Sequence, residues 1–370
     1  MNPVEPAPPA GAPGVAPAAG GRPLVSVVVP AYNEAAALQR NLGTLCRYLG
    51  SLEDEYRWEL VIVDDGSTDD TGRLADEFAR GRANVHVLHH LVNFGLGQAL
   101  RFGFAHCRGD YVVTLDVDLS YAPEHVGAML ARLRQGGARV VVASPYMKGG
   151  RVTNVPWLRR VMSQWANRFL SMATGRSVST VTGMVRAYDG PFLRSLSLKS
   201  QYMEINPEVL YKAMLLNARI DEVPGHLDWS LQRAAGPARR SSLRVRRQTF
   251  QVLLAGFLFR PVMFFIVPGT LVLLFALYTN TWMFIHFFDQ YQRLAGVAGI
   301  EDRLTWAVGA AYREYPYTFI IGLMSLVLAL QLLGLGIMAL QNREYFQEMF
   351  TLGTRVYRLT REACKENQDD

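Results

Sequence analysis

Cysteine is scarce in this chain. Cys46, Cys107 and Cys364 are the three in 370 residues, an odd number, and no two of them have metal-ligand spacing. That excludes a disulfide scaffold and a structural zinc site, and leaves packing thiols kept reduced in a cytosolic compartment. Large apolar side chains are almost missing from residues 1–22, which are rich in Pro, Ala and Gly. A segment that can bury so little does not offset its chain entropy and is expected to be disordered. It has neither a basic start nor an apolar h-region, so it does not read as a secretory signal. The soluble part of the chain is therefore expected to stay in the cytoplasm. Stacking aromatics are also lacking around the basic stretch of Arg233, Arg239, Arg240, Arg244, Arg246 and Arg247. With a net charge of only +6, nucleic acid is not expected as a partner.

What is present falls into two kinds of sequence. From Leu24, short apolar runs alternate with amphipathic stretches. Strands are expected at Val25–Pro30, Leu60–Asp64, Val85–His89, Tyr111–Leu115 and Arg139–Ala143. Helices are expected between them, at Ala35–Leu49, Thr71–Arg80, Gly97–His106 and Pro123–Gln135. This alternation predicts an α/β fold with a mainly parallel sheet, in which ligands bind beyond the carboxyl ends of the strands. Further on, Pro261–Ile285 and Tyr317–Leu340 contain no Lys, Arg, Asp or Glu. About 24 residues at about 1.5 Å each cover roughly 36 Å, enough to cross a hydrocarbon core with some tilt. Arginines precede the first run, and Arg343, Arg355, Arg358 and Arg361 follow the second, which places both flanks in the cytoplasm. The expected organisation is thus a tail at 1–22, an α/β domain at 23–235 and a basic juxtamembrane segment at 236–260. Spans at 261–285 and 317–340 then enclose an extracytoplasmic loop at 286–316, and a cytoplasmic tail occupies 341–370. The protein is expected in the cell membrane, with two spans.

The polar residues at the strand ends carry the chemistry. The first strand ends in Pro30-Ala31-Tyr32-Asn33-Glu34 and the second in Asp64-Asp65-Gly66-Ser67-Thr68-Asp69. A carboxylate at such a junction can accept hydrogen bonds from a base or ribose. Helix capping by Ser67, Thr68 or Asp69 is the plainer alternative, but it does not call for two successive acids. The fourth strand delivers Asp116-Val117-Asp118, two acids one residue apart after an apolar run. That arrangement is costly unless a cation occupies the gap, and hard oxygen ligands suit Mg²⁺ or Mn²⁺.

These three motifs, in this order, resemble the family 2 glycosyltransferases, whose catalytic domain has the Rossmann-like GT-A fold; the resemblance runs from Leu24 to about Trp229. It implies that Pro30, Tyr32, Glu34, Asp64 and Asp65 line a nucleotide-sugar pocket and that Asp116 and Asp118 are metal-binding acids. Asn93-Phe94-Gly95-Leu96-Gly97 looks like the family's Asn-x-Gly-x-Gly loop, which adds Gly97; Val92 stands where an arginine often precedes it. The Gln-x-x-Arg-Trp motif of processive polysaccharide synthases is missing. Arg159, Ser163 and Asn167 are spaced i, i+4, i+8 on a helix starting near Trp157, so they share one face. That stretch looks like the acceptor-phosphate region of the dolichol-phosphate mannose synthase group, where an arginine and a serine matching Arg159 and Ser163 bind the lipid phosphate. That group's other arginine is replaced by Pro145, and its frequent metal-site Gln by Ser120. Thr182-Gly183-Met184-Val185-Arg186 and Glu222-Val223-Pro224 resemble further motifs, with Arg186 either catalytic or structural. Arg233 and Arg240 would cover the diphosphate. The implied activity is inverting transfer of a hexose from a GDP-mannose or UDP-glucose type donor to a polyprenyl or dolichyl phosphate. A lipid hydroxyl acceptor and an inactive sugar-nucleotide-binding homologue are the alternatives, and assembly into homo-oligomers stays open.

Overall fold

The computed structural model describes residues 21–173, 178–230, 262–294, 296 and 299–369. The chain divides into one unit of residues 1–255 with 351–370 and a second of residues 256–350.

The first unit is built on a seven-stranded sheet. Its first half alternates strictly: β1 (Leu24–Ala31), α1 (Leu38–Gly50), β2 (Arg57–Asp64), α2 (Thr71–Ala79), β3 (Val85–His89), α3 (Leu96–His106), β4 (Tyr111–Thr114), α4 (Glu124–Arg134) and β5 (Ala138–Ser144). All five predicted strands and four predicted helices are found within a few residues of their expected bounds. β6 (Arg151–Thr153), α5 (Trp157–Ala173), β7 (Arg186–Asp189), α6 (Gly190–Ser195), α7 (Ile205–Leu215), β8 (Arg219–Pro224) and β9 (His226–Asp228) follow. The strand order is β3-β2-β1-β4-β7-β5-β8, while β6 and β9 pair separately. Every pairing in the large sheet is parallel except those of β7, which runs antiparallel between β4 and β5. Val27, Val28 and Val29 of β1 are fully buried, as expected of a central strand covered by helices on both faces.

Register decides what the strand ends do. Ala31 pairs with Asp64 and Val28 with Thr114, so Asp116, two residues on, comes level with Pro30. The chain turns one way from β1 to β2 and the other way to β4. The crevice beyond β1 and β4 is therefore the topological switch point, where open α/β sheets bind ligands.

The second unit is helical. A π-helical turn at Val262–Ile266 leads into α8 (Val267–Arg293); α9 (Ile300–Glu314) follows, and α10 begins at Pro316 and continues to Asp369. Phe264–Arg293 and Pro316–Asn342 are long and apolar enough to cross a membrane, with mean hydropathies of 1.6 and 2.4. Only 11% and 17% of their most apolar windows are buried, which argues against a soluble core helix and for two membrane spans. Small residues let them meet. A Cβ on Gly269 would lie 3.1 Å from Leu333, and Asn280 donates to the Gly322 carbonyl at 2.9 Å.

Both segments flanking the second run are helical. In the expected loop at 286–316 the first eight residues complete α8 and most of the rest is α9, and from residue 341 of the expected tail α10 continues to Asp369. Charged residues end the apolar runs but do not end the helices, because Glu, Arg and Ala are all good helix formers. The juxtamembrane segment expected at 236–260 lies outside the described residues.

Candidate active site

Sequence first knits the ends of β1 and β2 together. Asn33 has a φ of 55°, which Asn tolerates better than most residues, and turns the chain after β1. Its side-chain oxygen accepts from the Thr68 N–H at 2.8 Å, while its own N–H donates to Ser67 Oγ at 3.0 Å. Glu34 N–H donates to Thr71 Oγ1 at 2.8 Å. The Ser, Thr and Asp residues after β2 thus serve the neighbouring loop as much as their own helix.

Asp64 and Asp65 are buried, 6% and 4% exposed. Asp64 accepts from the Ser67 N–H at 3.1 Å and faces His89 Nδ1 at 3.1 Å, and the other nitrogen of that ring faces Asp76. Asp65 faces His90 Nδ1 at 2.7 Å and accepts from the Phe94 and Gly95 N–H groups at 3.1 and 2.8 Å. The second acid therefore braces the loop at 93–97. Gly97 sits at the start of α3, where a Cβ would lie 2.6 Å from backbone atoms of Ser200 and Gln201. Its role in this conformation is close packing, which only glycine permits.

Asp116 and Asp118 end β4 differently. Leu119, at φ 51°, turns the chain, and the Ser120 N–H donates to Asp118 Oδ1 at 2.8 Å. Asn41, buried on α1, donates to the Val117 carbonyl at 3.0 Å and fixes the turn from behind. Burial, then the negative charges of Asp118 and Glu34, push the Asp116 carboxyl up to about 7. The charges of Asp118 and of Glu34, in the loop after β1, thus both bear on Asp116 at the switch point. The register could not be read from sequence, so the link between Glu34 and Asp116 and the support from Asn41 were not foreseen.

A second constellation surrounds α5. Arg159, Ser163 and Asn167 lie along one helical face that passes from exposed to buried. Asn167 accepts from the Val181 and Thr182 N–H groups at 2.8 and 3.1 Å. Glu222 accepts from the Ser179 and Thr180 N–H groups at 2.9 and 3.0 Å. Four successive amides of residues 179–182 are held by these two side chains. Ser163 Oγ receives the Tyr146 hydroxyl at 2.8 Å. Arg159 lies over the Trp229 ring, 4.8 Å from its centroid, and the Asp228 N–H donates to the Ser120 carbonyl at 2.9 Å. Trp229 and Ser120 thereby link the arginine to the loop that carries Asp118.

Arg186 does not join this group. It is fully buried and donates to the carbonyls of Asn206 and Val181 at 2.6 and 2.7 Å. Burial pulls its pKa down, with Tyr188 opposing. These contacts support the structural alternative for Arg186: two of its nitrogens are tied to backbone carbonyls, its buried Nε has no hydrogen-bond partner, and no acid pairs with it among the described residues. Arg233 and Arg240 lie outside the described residues. Tyr32 and Pro30 are half-buried beside Asn33 and Glu34.

The profile described as "Glycosyl transferase family 2" matches residues 26–195. Polyprenol monophosphomannose synthase of Mycolicibacterium smegmatis is 31% identical over 233 residues, which cover 61% of this chain and 84% of that protein. Undecaprenyl-phosphate 4-deoxy-4-formamido-L-arabinose transferase of Proteus mirabilis is 37% identical over 168 residues, 44% of this chain and 48% of that protein. Among solved structures, glucosyl-3-phosphoglycerate synthase of Mycobacterium tuberculosis, in complex with Mg²⁺ and uridine diphosphate, is 22% identical. It matches with a TM-score of 0.46 over 63% of this chain and 79% of that one. A mannosyltransferase of Pyrobaculum calidifontis, in complex with GDP-mannose and Mn²⁺, is 20% identical. It matches with a TM-score of 0.44 over 85% and 88% of the two chains. At scores this low neither structure adds to the argument about the site. The profile match and the 31% identity to a relative covered over 84% of its length suffice: this chain belongs to the family 2 glycosyltransferases.

Proposed function

We propose that this glycosyltransferase moves a hexose from a GDP-mannose or UDP-glucose type donor onto a polyprenyl or dolichyl phosphate, at the cytoplasmic face of the cell membrane. The observation that carries the reading is the delivery of Asp116 and Asp118 just beyond β4 at the switch point, level with Pro30, with the Asp116 carboxyl pushed up to about 7 by burial and then by the charges of Asp118 and Glu34. Such a cluster is unfavourable alone and becomes favourable when it holds a cation. The donor set fits Mg²⁺ or Mn²⁺, which commonly take one or two carboxylates and complete their shell with substrate phosphates and water. Among the described residues no group of three or more His, Cys, Asp or Glu forms a metal cage of protein alone. Asp116 and Asp118 would hold the ion, which when bound supplies charge neutralisation for the departing diphosphate.

Around that centre the chain's own residues divide the work. Pro30, Tyr32 and Glu34 shape the donor pocket, while Asp64, Asp65 and Gly97 fix its wall and leave little carboxylate surface for the nucleotide. Arg233 and Arg240 are assigned to the diphosphate. A phosphate monoester has its second pKa near about 6, so the acceptor is an anionic nucleophile at neutral pH and needs no general base. Arg159 and Ser163 are assigned to that anion, Ser163 being oriented by Tyr146. An arginine fork steers the phosphate without taking away its reactive oxygen. Displacement in line then inverts the anomeric centre. The two relatives are named a polyprenol monophosphomannose synthase and an undecaprenyl-phosphate sugar transferase, which supports the acceptor class.

Incubating membranes that contain the protein with polyprenyl phosphate and a panel of radiolabelled nucleotide-sugars tests this. The expected product is a labelled lipid that releases its sugar in mild acid. An acid-stable glycolipid would assign a hydroxyl acceptor instead.

A further inference from the structure

Helix α9 has three sides. Arg303, Ala307, Ala311 and Glu314 fall within about 80° of one another at 100° per residue. Ala307 and Ala311 are fully buried, Arg303 donates to the Tyr291 carbonyl at 2.8 Å, and Glu314 accepts from Gln290 at 2.5 Å. Tyr291 and Gln290 are adjacent on α8, yet their partners are eleven residues apart on α9. Eleven residues of helix cover roughly 16 Å. A helix lying along α8 would meet residues far apart on it, so α9 must cross the end of α8. The Arg303 guanidinium also lies 3.9 Å from the Tyr291 ring centroid, and His286 stacks on Tyr315 at 3.7 Å, which pins both ends of the crossing.

The second side carries Leu304, Val308 and Tyr312, exposed by 44%, 47% and 46%, with Ile300 at its edge exposed by 74% and Glu301 of the first turn between Val308 and Tyr312 in the helical projection. The third carries Asp302, Thr305, Gly309 and Arg313, with Trp306, exposed by 54%, at its border with the buried side. Tyr315 alone separates α9 from the second apolar span, and Tyr312 packs edge-on against Phe319 of that span at 5.8 Å. Through Tyr312 the apolar side of α9 is continuous with the apolar surface of the second span.

We propose that α9 is an interfacial helix: it lies in the plane of the membrane, across the end of the first span, with Leu304, Val308 and Tyr312 in the acyl-chain boundary of a lipid surface. Amphipathic helices with one apolar and one charged flank take this position. The proposal rests on the membrane reading of α8 and α10. It gives the anchor a foot that resists tilting of the hairpin and fixes how far each span sinks.

The test uses the native full-length protein reconstituted in phosphatidylcholine vesicles. One sample carries a phospholipid with a photoreactive diazirine on its acyl chain, and the other receives a water-soluble diazirine; adducts are mapped by peptide mass spectrometry. The expected result is lipid adducts on Leu304, Val308 and Tyr312 as well as on the spans, with aqueous adducts on Asp302, Thr305 and Arg313. Spans labelled by lipid but an α9 apolar side labelled from water would overturn the proposal and leave the membrane reading intact. An apolar side labelled by neither reagent would overturn it in favour of a contact with a second copy. Failure of lipid labelling everywhere would remove the membrane reading itself. As a second measurement, Val308→Glu should lose lipid adducts on α9 while the spans keep theirs; retained adducts count against the proposal.

Discussion

Asp64–Asp65 and Asp116–Asp118 are two pairs of acids ending strands of one sheet, two places apart in strand order, and the fold treats them in opposite ways. The first pair is buried among donors: Ser67, Phe94 and Gly95 amides and the rings of His89 and His90. In the second pair Asp118 accepts the Ser120 N–H, while Asp116 is driven up to about 7 by burial and then by the charges of Asp118 and Glu34. A carboxylate ringed by amide donors fastens the loops around it, whereas one pressed by like charge, as Asp116 is, sits where the proposed cation would bind. The difference between structural and reactive acids lies in what their neighbours offer them.

The largest expected effect comes from Asp116→Asn. Transfer should fall by roughly three orders of magnitude, as for loss of a group that stabilises transition-state charge; unchanged turnover in a labelled-donor assay would end the metal assignment. The same substitution should raise the melting temperature in chelator. The sign follows from the direction of the shift. A carboxyl raised from 3.8 to about 7 in the folded state costs nothing at low pH, and its penalty grows until about pH 7. The gap in melting temperature between variant and parent should therefore open across that window, and circular dichroism melts at a series of pH values would show it.

Asp65→Asn should behave in the opposite way. It converts an acceptor of backbone amides into a group that must present an NH₂ to them, at a cost of roughly 1–3 kcal/mol. At about 2–4 °C per kcal/mol for a domain of this size, a drop of several degrees is expected at every pH near neutral. A melting temperature equal to that of the parent would erase the contrast between the pairs. Arg159→Ala gives a smaller and more selective effect: KM for the lipid phosphate should rise while KM for the donor holds, with partial recovery in Arg159→Lys. Equal changes in both constants would detach Arg159 from the acceptor. Smallest of all, the buried Cys107 thiol is pushed up to about 12 by desolvation, so it should resist maleimide at pH 8 in the folded protein and react on unfolding.

The acidic motifs, the alternation of elements and the apolar runs were legible because each is a local pattern. Val25–Pro30 reads as a buried strand from its own residues, and Asp116-Val117-Asp118 stands out wherever the strand is placed. The roles of Asn41, Tyr146 and Trp229 were not legible, since each acts on a segment far away in the chain: Val117, Ser163 and Arg159. Asn167 was seen as a member of a helical face, but its grip on Val181 and Thr182 depends on a loop folding back over that face. Arg186 shows the reverse case. Its motif marks a family position, and only its contacts with the Asn206 and Val181 carbonyls favour a structural role over a catalytic one. Helix α9 was hidden because charges at Glu301, Asp302, Arg303, Arg313 and Glu314 break the hydropathy signal without breaking helical periodicity.

The sequence by itself determined the α/β architecture, the two apolar spans and the family, because periodicity, run length and short acidic motifs are properties of neighbouring residues. Only the tertiary structure decided which acids are fasteners and which are crowded, which arginine is enclosed and how α9 crosses α8. Those outcomes depend on register and on donors brought in from distant segments, and no local pattern encodes the distance between a carboxylate and the group that will face it.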